Sequence, residues 1–320
     1  MVTGATGKVG GAVVRAALAD GHEVRALVRD PARVGAHLPV QAQVVVGDVT
    51  DPATLLPAVD GVDVVFNAMG VSEQWLPDPG LFERVNVTGS ANVARAAARA
   101  GVRRLVHTST IDVFAAPPGG RFDETSLATA PKHTPYERSK QRAERAVLDA
   151  GGDVEVVIVN PAAVYGFPPH GRASLEDRMF RSALRGRLPA VPPGGSGLVF
   201  TEGLARGQLA AAVAGRPGQR YIFSDAHVSL RDLTALVVSV AGRGRPPRAT
   251  IPPAFAGALA TGGELVARLI RRPPPLSRGQ LHYLLWNVVP DASRARAELG
   301  WEPTPLAEGL RRTLAELDRA

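Results

Sequence analysis

Thr3-Gly4-Ala5-Thr6-Gly7-Lys8-Val9-Gly10 opens the chain with a glycine-punctuated turn that runs into a helical pattern over residues 11–19. A dinucleotide pyrophosphate docks at such a turn, because the free amides and positive dipole end of a helix N-terminus favour an anion. The glycines have separate uses. Gly4 permits the tight turn, Gly7 lets backbone approach the pyrophosphate, and Gly10 lets the helix pack close to the sheet. Thr6, Lys8 and Val9 go with them as cofactor contacts. Alone, the motif reads equally well as an ordinary glycine turn. A second motif far downstream changes that. In Tyr136-Glu137-Arg138-Ser139-Lys140 a tyrosine and a lysine four apart share one helix face. The ammonium favours the phenolate and lowers a pKa that otherwise lies near ~10. In this order, the pair of motifs points to nicotinamide-dependent oxidoreductase chemistry.

Strand-like runs at 23–28, 43–46, 62–67, 103–108 and 154–159 alternate with helical patterns at 11–19, 87–100 and 136–150. That alternation predicts an α/β fold, a doubly wound parallel Rossmann sheet with helices on both faces. Residues 1–165 read as the dinucleotide-binding domain and 166–320 as a smaller, mostly helical substrate-binding lobe. The lobe is discontinuous, because 218–224 looks like a strand returning to the sheet. Within it, 175–184, 230–241, 292–300 and 305–319 read as helices and 243–253 as a proline-rich linker. Only Met1 and Val2 precede the turn, whereas a strand takes about five residues. The native start is therefore expected upstream.

A chain of 320 residues suits one main domain with a smaller lobe. The formal charge is +7, yet Lys8, Lys132 and Lys140 are the only lysines and the arginines are scattered. No nucleic-acid partner is expected from that pattern. The absence of cysteine excludes disulfides, thiolate catalysis and thiolate-bound metal, and no metal site is expected. With no apolar leader before the turn, the expected location is cytoplasmic. Residues 255–270 are the most apolar piece, interrupted by Gly262, Gly263, Glu264 and Arg268. They are too short and broken to span a bilayer. They read as an amphipathic helix on the lobe, with surface membrane contact helped by Arg271 and Arg272 as the alternative.

Ribose selection falls after the second strand, where Arg29 and Asp30 stand side by side. An acidic residue there binds the 2′-hydroxyl and an arginine receives a 2′-phosphate. Asp30 precedes Pro31 and reads as a cap turned away from the site. Arg29 is thus favoured as the phosphate ligand, hence NADP(H), with NAD(H) as the alternative. Asp48, followed by Val49, is placed to bond the adenine amino group; a turn aspartate is the bland alternative. Asn67 and Ala68 end the fourth strand with small residues that suit a ribose. Ser109 and Thr110 follow the fifth strand at the carboxyl edge, where open α/β sheets place their sites. A hydroxyl there donates to a substrate carbonyl oxygen while Tyr136 delivers the proton and Lys140 holds the ribose hydroxyls.

Taken together, these motifs are similar to those of the extended short-chain dehydrogenase/reductase family, the NAD-dependent epimerase/dehydratase group. The resemblance covers nearly the whole chain: TGATGKVG (3–10), GDV (47–49), NVTGSANV (86–93), VRRLVHTSTIDVF (102–114), YERSK (136–140), NPAAVYG (160–166) and SRARAELGWEP (293–303). It implies Thr110, four before Phe114, as the catalytic hydroxyl, with Ser109 second. It implies that Asn160, Pro161 and Val164 border the nicotinamide, and that helices at about 89–100 and 136–150 form a homodimer. The chain departs from the family at Thr201-Glu202-Gly203, where aspartates are frequent. It also departs at Gly195-Ser196-Gly197, where nucleotide-sugar members carry an arginine for the diphosphate. Glycine and serine cannot pair with that charge, which argues against a nucleotide-sugar substrate.

VRALVRDP (24–31) is closer to the dihydroflavonol-reductase and 3β-hydroxysteroid-dehydrogenase-like branch. That resemblance implies an NADPH-dependent reductase of a small apolar or aromatic carbonyl, reversibly an alcohol dehydrogenase. Val71, Trp75, Leu76, Phe114, Tyr165, Met179 and Phe180 are offered as an apolar pocket wall, with plain core the alternative for each. Two other readings compete. One is a sugar epimerase or dehydratase that retains its cofactor. The other is a sensor that binds NADP without turnover, a class that typically lacks the Tyr/Lys pair.

Overall fold

Apolar runs buried on both faces make the centre of this protein, as parallel sheets covered by helices require. The structure is a computed structural model that describes residues 1–35, 38–72, 74–166 and 175–317. Its strands are β1 Val2–Thr3, β2 Arg25–Val28, β3 Gln43–Val46, β4 Val64–Asn67, β5 Arg104–Thr108, β6 Arg121–Phe122, β7 Glu155–Pro161, β8 Ala163–Tyr165, β9 Ala190–Val191, β10 Gly195–Phe200, β11 Arg220–Phe223, β12 Ala226–Ser229, β13 Ala249–Thr250 and β14 Val289–Pro290. Its α-helices are α1 Lys8–Ala19, α2 Leu56–Val59, α3 Ser90–Arg99, α4 Pro135–Ala150, α5 Leu175–Leu184, α6 Thr201–Ala214, α7 Leu230–Ala241, α8 Pro253–Ile270, α9 Arg278–Trp286, α10 Ser293–Leu299 and α11 Leu306–Leu317. A π-helix, Phe82–Gly89, leads directly into α3.

The main sheet has seven parallel strands in the order β11-β7-β5-β4-β1-β2-β3. From β1 the chain winds outward through β2 and β3, then crosses to β4 and winds the other way. The crevice of such a sheet opens between β1 and β4, outside the carboxyl ends of the strands. One face is covered by α1 and α6 through Val13, Val14, Val106, Val157, Tyr221 and Phe223. The other is covered by α2, α3 and α4 through Leu55, Val65, Val93, Leu105, Val147 and Ile158. Arg104 ties the layers together. Its Nη1 donates to the carbonyls of Ala211, Ala212 and Val213 at the end of α6, and its Nε and Nη2 reach Glu155 at 2.9 and 2.6 Å.

The predicted strands and helices of the first half appear within a few residues of their expected ends, and 218–224 returns to the sheet as β11. Several elements were not legible. Residues 195–200 form β10, the centre of a three-stranded sheet with β8 and β12. Its glycines hide the strand, because they lack the branched side chains that signal one. They are needed there: a Cβ on Gly195 would lie 2.6 Å from the Val228 carbonyl oxygen. The linker 243–253 contains β13, which pairs with β9, and α9 was not anticipated. Residues 167–174 of the predicted lobe, and Asp318 and Arg319 of the last predicted helix, lie outside the described residues.

Candidate active site

The glycine turn leaves β1 with Gly4 at φ +62, a conformation that disfavours any side chain. A Cβ at Gly4 would sit 2.8 Å from the Ala68 carbonyl oxygen, so the turn presses on the segment after β4. A Cβ at Gly10 would meet the Gly4 carbonyl oxygen at 2.3 Å, which is how closely α1 packs beneath the turn. Gly7 caps α1, and the first turn of that helix carries no carboxylate. Its amides and dipole therefore present a cradle suited to pyrophosphate. Thr6 lines this turn half-buried, Val9 packs onto the apolar core below, and Lys8 Nζ donates to the Val164 carbonyl at 3.5 Å.

Arg29 stands exposed at the carboxyl end of β2. Asp30 accepts from the Ala32 amide at 3.0 Å and starts the turn Pro31–Arg33, the capping role expected of it. Asp48 Oδ1 accepts from the amide and hydroxyl of Thr50, both at 2.8 Å. Beside it, Val49 lies so near Gly89 that a Cβ there would be 2.8 Å from its methyl group. Asn67 uses its side chain inside the sheet. Its Oδ1 accepts from Thr3 Oγ1 at 2.8 Å and its amide donates to His107 Nδ1 at 3.1 Å. The side chain thus knits β1, β4 and β5 together inside the sheet. What Asn67 and Ala68 offer a ribose is backbone. His107 is buried and its pKa falls well below the ordinary value, through burial first and the Lys140 charge second. The accepting Nδ1 leaves the ring proton on Nε2.

The tyrosine and lysine are held by local rules. Thr134 and Glu137 form a reciprocal capping box, with Pro135 at the first helical position of α4. Tyr136 is therefore fixed in the first turn, buried, with its ring centroid 6.2 Å from that of Phe82. Ser139 Oγ donates to the Tyr136 carbonyl at 2.7 Å and accepts from Asn86 Nδ2 at 2.9 Å. Asn86 also grips both backbone polar groups of Val71, which clamps the segment after β4 to α4. Lys140 lies one turn further, with Nζ donating to the Thr108 carbonyl at 2.7 Å. Burial lowers its pKa to about 8, against the opposing charges of Glu144 and Asp112. Glu144 continues the same helix face and is pinned by Arg220 at 2.7 Å and Asn160 at 2.9 Å.

Thr110 Oγ1 accepts from the Asp112 amide at 3.3 Å, and its hydroxyl also bonds the buried Asp112 carboxylate. Ser109 Oγ is buried with no hydrogen-bond partner among the described residues. Asn160 is fully buried, and its amide donates to the Thr110 carbonyl at 3.0 Å. Pro161 ends β7 beside it. The carboxyl ends of β1, β4, β5 and β7 thus bring the glycine turn, the two hydroxyls and Lys140 of α4 to one edge of the sheet.

Several participants had no signal in their own residue type. Asp112, two residues past Thr110, is fully buried and its carboxyl rises to about 7. Burial is the main cause and Glu137 adds to it, while Lys132, the hydrogen bond from the Thr110 hydroxyl and Lys140 oppose. Glu137 in turn lies 3.8 Å from His282 on α9, so α9 closes over the start of α4. Of the offered pocket wall, Phe114, Tyr165, Met179 and Phe180 are plain core. Val71, Trp75 and Leu76 stay half-buried, and a Cβ on Gly279 of α9 would lie 2.9 Å from the neighbouring Gln74 carbonyl. Gly195, Ser196 and Gly197 lie buried in β10, where a Cβ on Gly197 would meet Pro290 at 2.7 Å. No long cationic side chain fits there. Thr201 and Glu202 serve structure instead, bonding the Tyr165 carbonyl and Arg312.

The sequence profile of the NAD dependent epimerase/dehydratase family matches residues 1–221. Sterol demethylase protein B of Methylococcus capsulatus is 34% identical over 309 residues, covering 95% of this chain and 93% of that protein. The 3 beta-hydroxysteroid dehydrogenase/Delta 5→4-isomerase of Mycobacterium tuberculosis is 29% identical, over 95% of this chain and 85% of that protein. Among solved structures, gox2253 superposes with a TM-score of 0.83 at 30% identity, over 99% of this chain and 97% of that one.

Proposed function

Because the chain belongs to the NAD-dependent epimerase/dehydratase family, an enzyme family, we propose that it is an NADPH-dependent reductase that interconverts an apolar or aromatic ketone or aldehyde with its alcohol. The observation that supports the reading is Lys140 Nζ donating to the Thr108 carbonyl at the carboxyl end of β5, directly before Ser109 and Thr110 and two strands from the glycine turn, with Tyr136 buried one turn earlier on the same helix. The names of the relatives, a sterol-processing protein and a hydroxysteroid dehydrogenase, support the apolar substrate. In this reading residues 1–165, with β11, hold the cofactor and the rest of the chain shapes the substrate side. A homodimer through α3 and α4 belongs to the same proposal.

The cradle fits the cofactor: Gly4 and Gly10 permit the tight turn and the close approach of α1 to it, and the helix end supplies the amides. When bound, the nicotinamide supplies or takes up the hydride. Tyr136 gives its proton to the carbonyl oxygen, and Thr110 donates a hydrogen bond to that oxygen, with Ser109 beside it. Lys140 keeps a positive charge next to the phenol. Since Lys140 loses its proton at about 8 in the free protein, reductive kcat/KM is expected to fall as pH rises through that value. A profile of NADPH consumption against pH checks it, and a flat alkaline limb would remove Lys140 from the role.

Arg29 is assigned to the 2′-phosphate because Asp30 is engaged as a cap. Arg29→Ser is expected to raise KM for NADPH by about tenfold or more, the loss of one charge-assisted hydrogen bond, and to leave NADH little changed. The whole reading is tested by a panel of steroid, aromatic and aliphatic carbonyls scored with NADPH and with NADH. Consumption on at least one apolar carbonyl is expected. No consumption across the panel, with a nicotinamide that co-purifies and does not exchange, would transfer the chain to the epimerase reading.

A further inference from the structure

We propose that α8 docks this enzyme onto an anionic phospholipid surface through an apolar face that the fold leaves exposed. The helix is inverted relative to an ordinary surface helix, which buries its large apolar residues and exposes its charges. Facing inward are Ala256, Ala260, Ala267 and the carboxylate of Glu264, which accepts from the backbone amide and Nε of Arg278 at 2.7 and 2.9 Å. Facing outward are Phe255, Leu259, Leu265, Val266, Leu269 and Ile270, between 48% and 85% exposed. Other exposed large apolar side chains among the described residues are dispersed or lie along the edge strand β3. Contiguous apolar exposure of this kind marks an interaction surface.

Charge identifies the occupant. Arg268, Arg271 and Arg272 sit exposed at the carboxyl end of the helix, and its one carboxylate is the buried Glu264. A second copy of α8 laid on this face, parallel or antiparallel, would bring three arginines to a helix with no exposed carboxylate of its own to meet them. A leaflet carrying acidic headgroups satisfies both halves, apolar side chains in the interface and guanidinium groups among phosphates. No helix among the described residues is long and apolar enough to cross a membrane, so α8 lies on the surface. Its position also has a use. It packs on α9 through Ala256, Ala260 and Leu281, and His282 of α9 stands 3.8 Å from Glu137, next to Tyr136. Docking therefore sets the candidate cleft one helix away from the bilayer, where an apolar carbonyl concentrates. That substrate route rests on the reductase reading, whereas the docking does not.

The test is flotation of the full chain with vesicles of phosphatidylcholine alone and of phosphatidylcholine mixed with phosphatidylserine. The expected result is flotation with the mixed vesicles, weakened by salt, and little with phosphatidylcholine alone. Replacing the three arginines by glutamine is expected to lower binding by about a hundredfold, roughly fivefold for each charge. Leu265→Ser with Leu269→Ser is expected to abolish flotation while thermal melting and turnover of a water-soluble carbonyl stay unchanged. Absence of flotation with the mixed vesicles at low salt, or flotation indifferent to both variants, would overturn the proposal. So would an oligomer in solution that falls apart in the leucine variant, since that would assign the face to a second copy. Flotation by a protein inactive on every carbonyl would leave the docking standing and sink only the reductase reading.

Discussion

Tyr136→Phe is expected to lower carbonyl reduction by about 10²–10⁴-fold, the contribution of a positioned general acid, with the affinity for NADPH nearly unchanged. The substitution removes one oxygen and keeps the ring, so contact with Phe82 and the capping box of α4 survive. The backbone carbonyl that receives the Ser139 hydroxyl survives as well. Thermal melting of the variant separates any loss of stability from loss of the acid. Stopped-flow or steady-state NADPH consumption, alongside cofactor titration by fluorescence, reads both halves. Turnover retained within a few-fold would assign the proton to another group and dissolve the proposed mechanism.

Arg220→Met is expected to destabilise the fold by about 3–5 kcal/mol, the cost of leaving a buried charge without its partner. Glu144 is nearly inaccessible, 2% exposed at its side chain, and Arg220 Nε is 2.7 Å from its carboxylate. Asn160 supplies a further hydrogen bond but no charge. Adding Glu144→Gln should restore much of the loss, because the buried charge disappears with its partner. Urea unfolding of the single and double variants checks it. A small loss in the single variant, or no recovery in the double, would mean that this ion pair is not a buried anchor. The double variant carries a functional consequence too. Glu144 opposes the burial that lowers the Lys140 pKa, so the alkaline limb of the activity profile should move to lower pH.

The parts of this protein that could be read directly are those whose signal is local. The alternation of apolar strands with helical patterns, the glycine spacing at 3–10 and the Tyr136–Lys140 spacing depend on neighbours within one turn or one strand. Asp30 as a cap is of the same kind, since Pro31 follows it and the Ala32 amide is within reach. Less was legible where a residue type suits two environments. Asn67 was expected beside a ribose, and its residue type did not announce that its side chain turns inward to Thr3 and His107. Tyr165 and Phe180 were offered to a pocket, yet α7 and α11 cover them as core. β10 escaped notice because close backbone approach demanded glycines where a strand normally shows branched residues.

Residue order thus set the sheet, the cofactor turn and the helix that pairs a phenol with an amine, because short-range spacing enforces each of them. Folding alone decided that Glu144 meets Arg220 across 76 positions of chain and that Asp112 loses contact with water. It also decided that α8 turns its carboxylate in and its leucines out. Burial and long-range contact change the electrostatics and exposure of a side chain without changing its identity, and only the packed molecule specifies them.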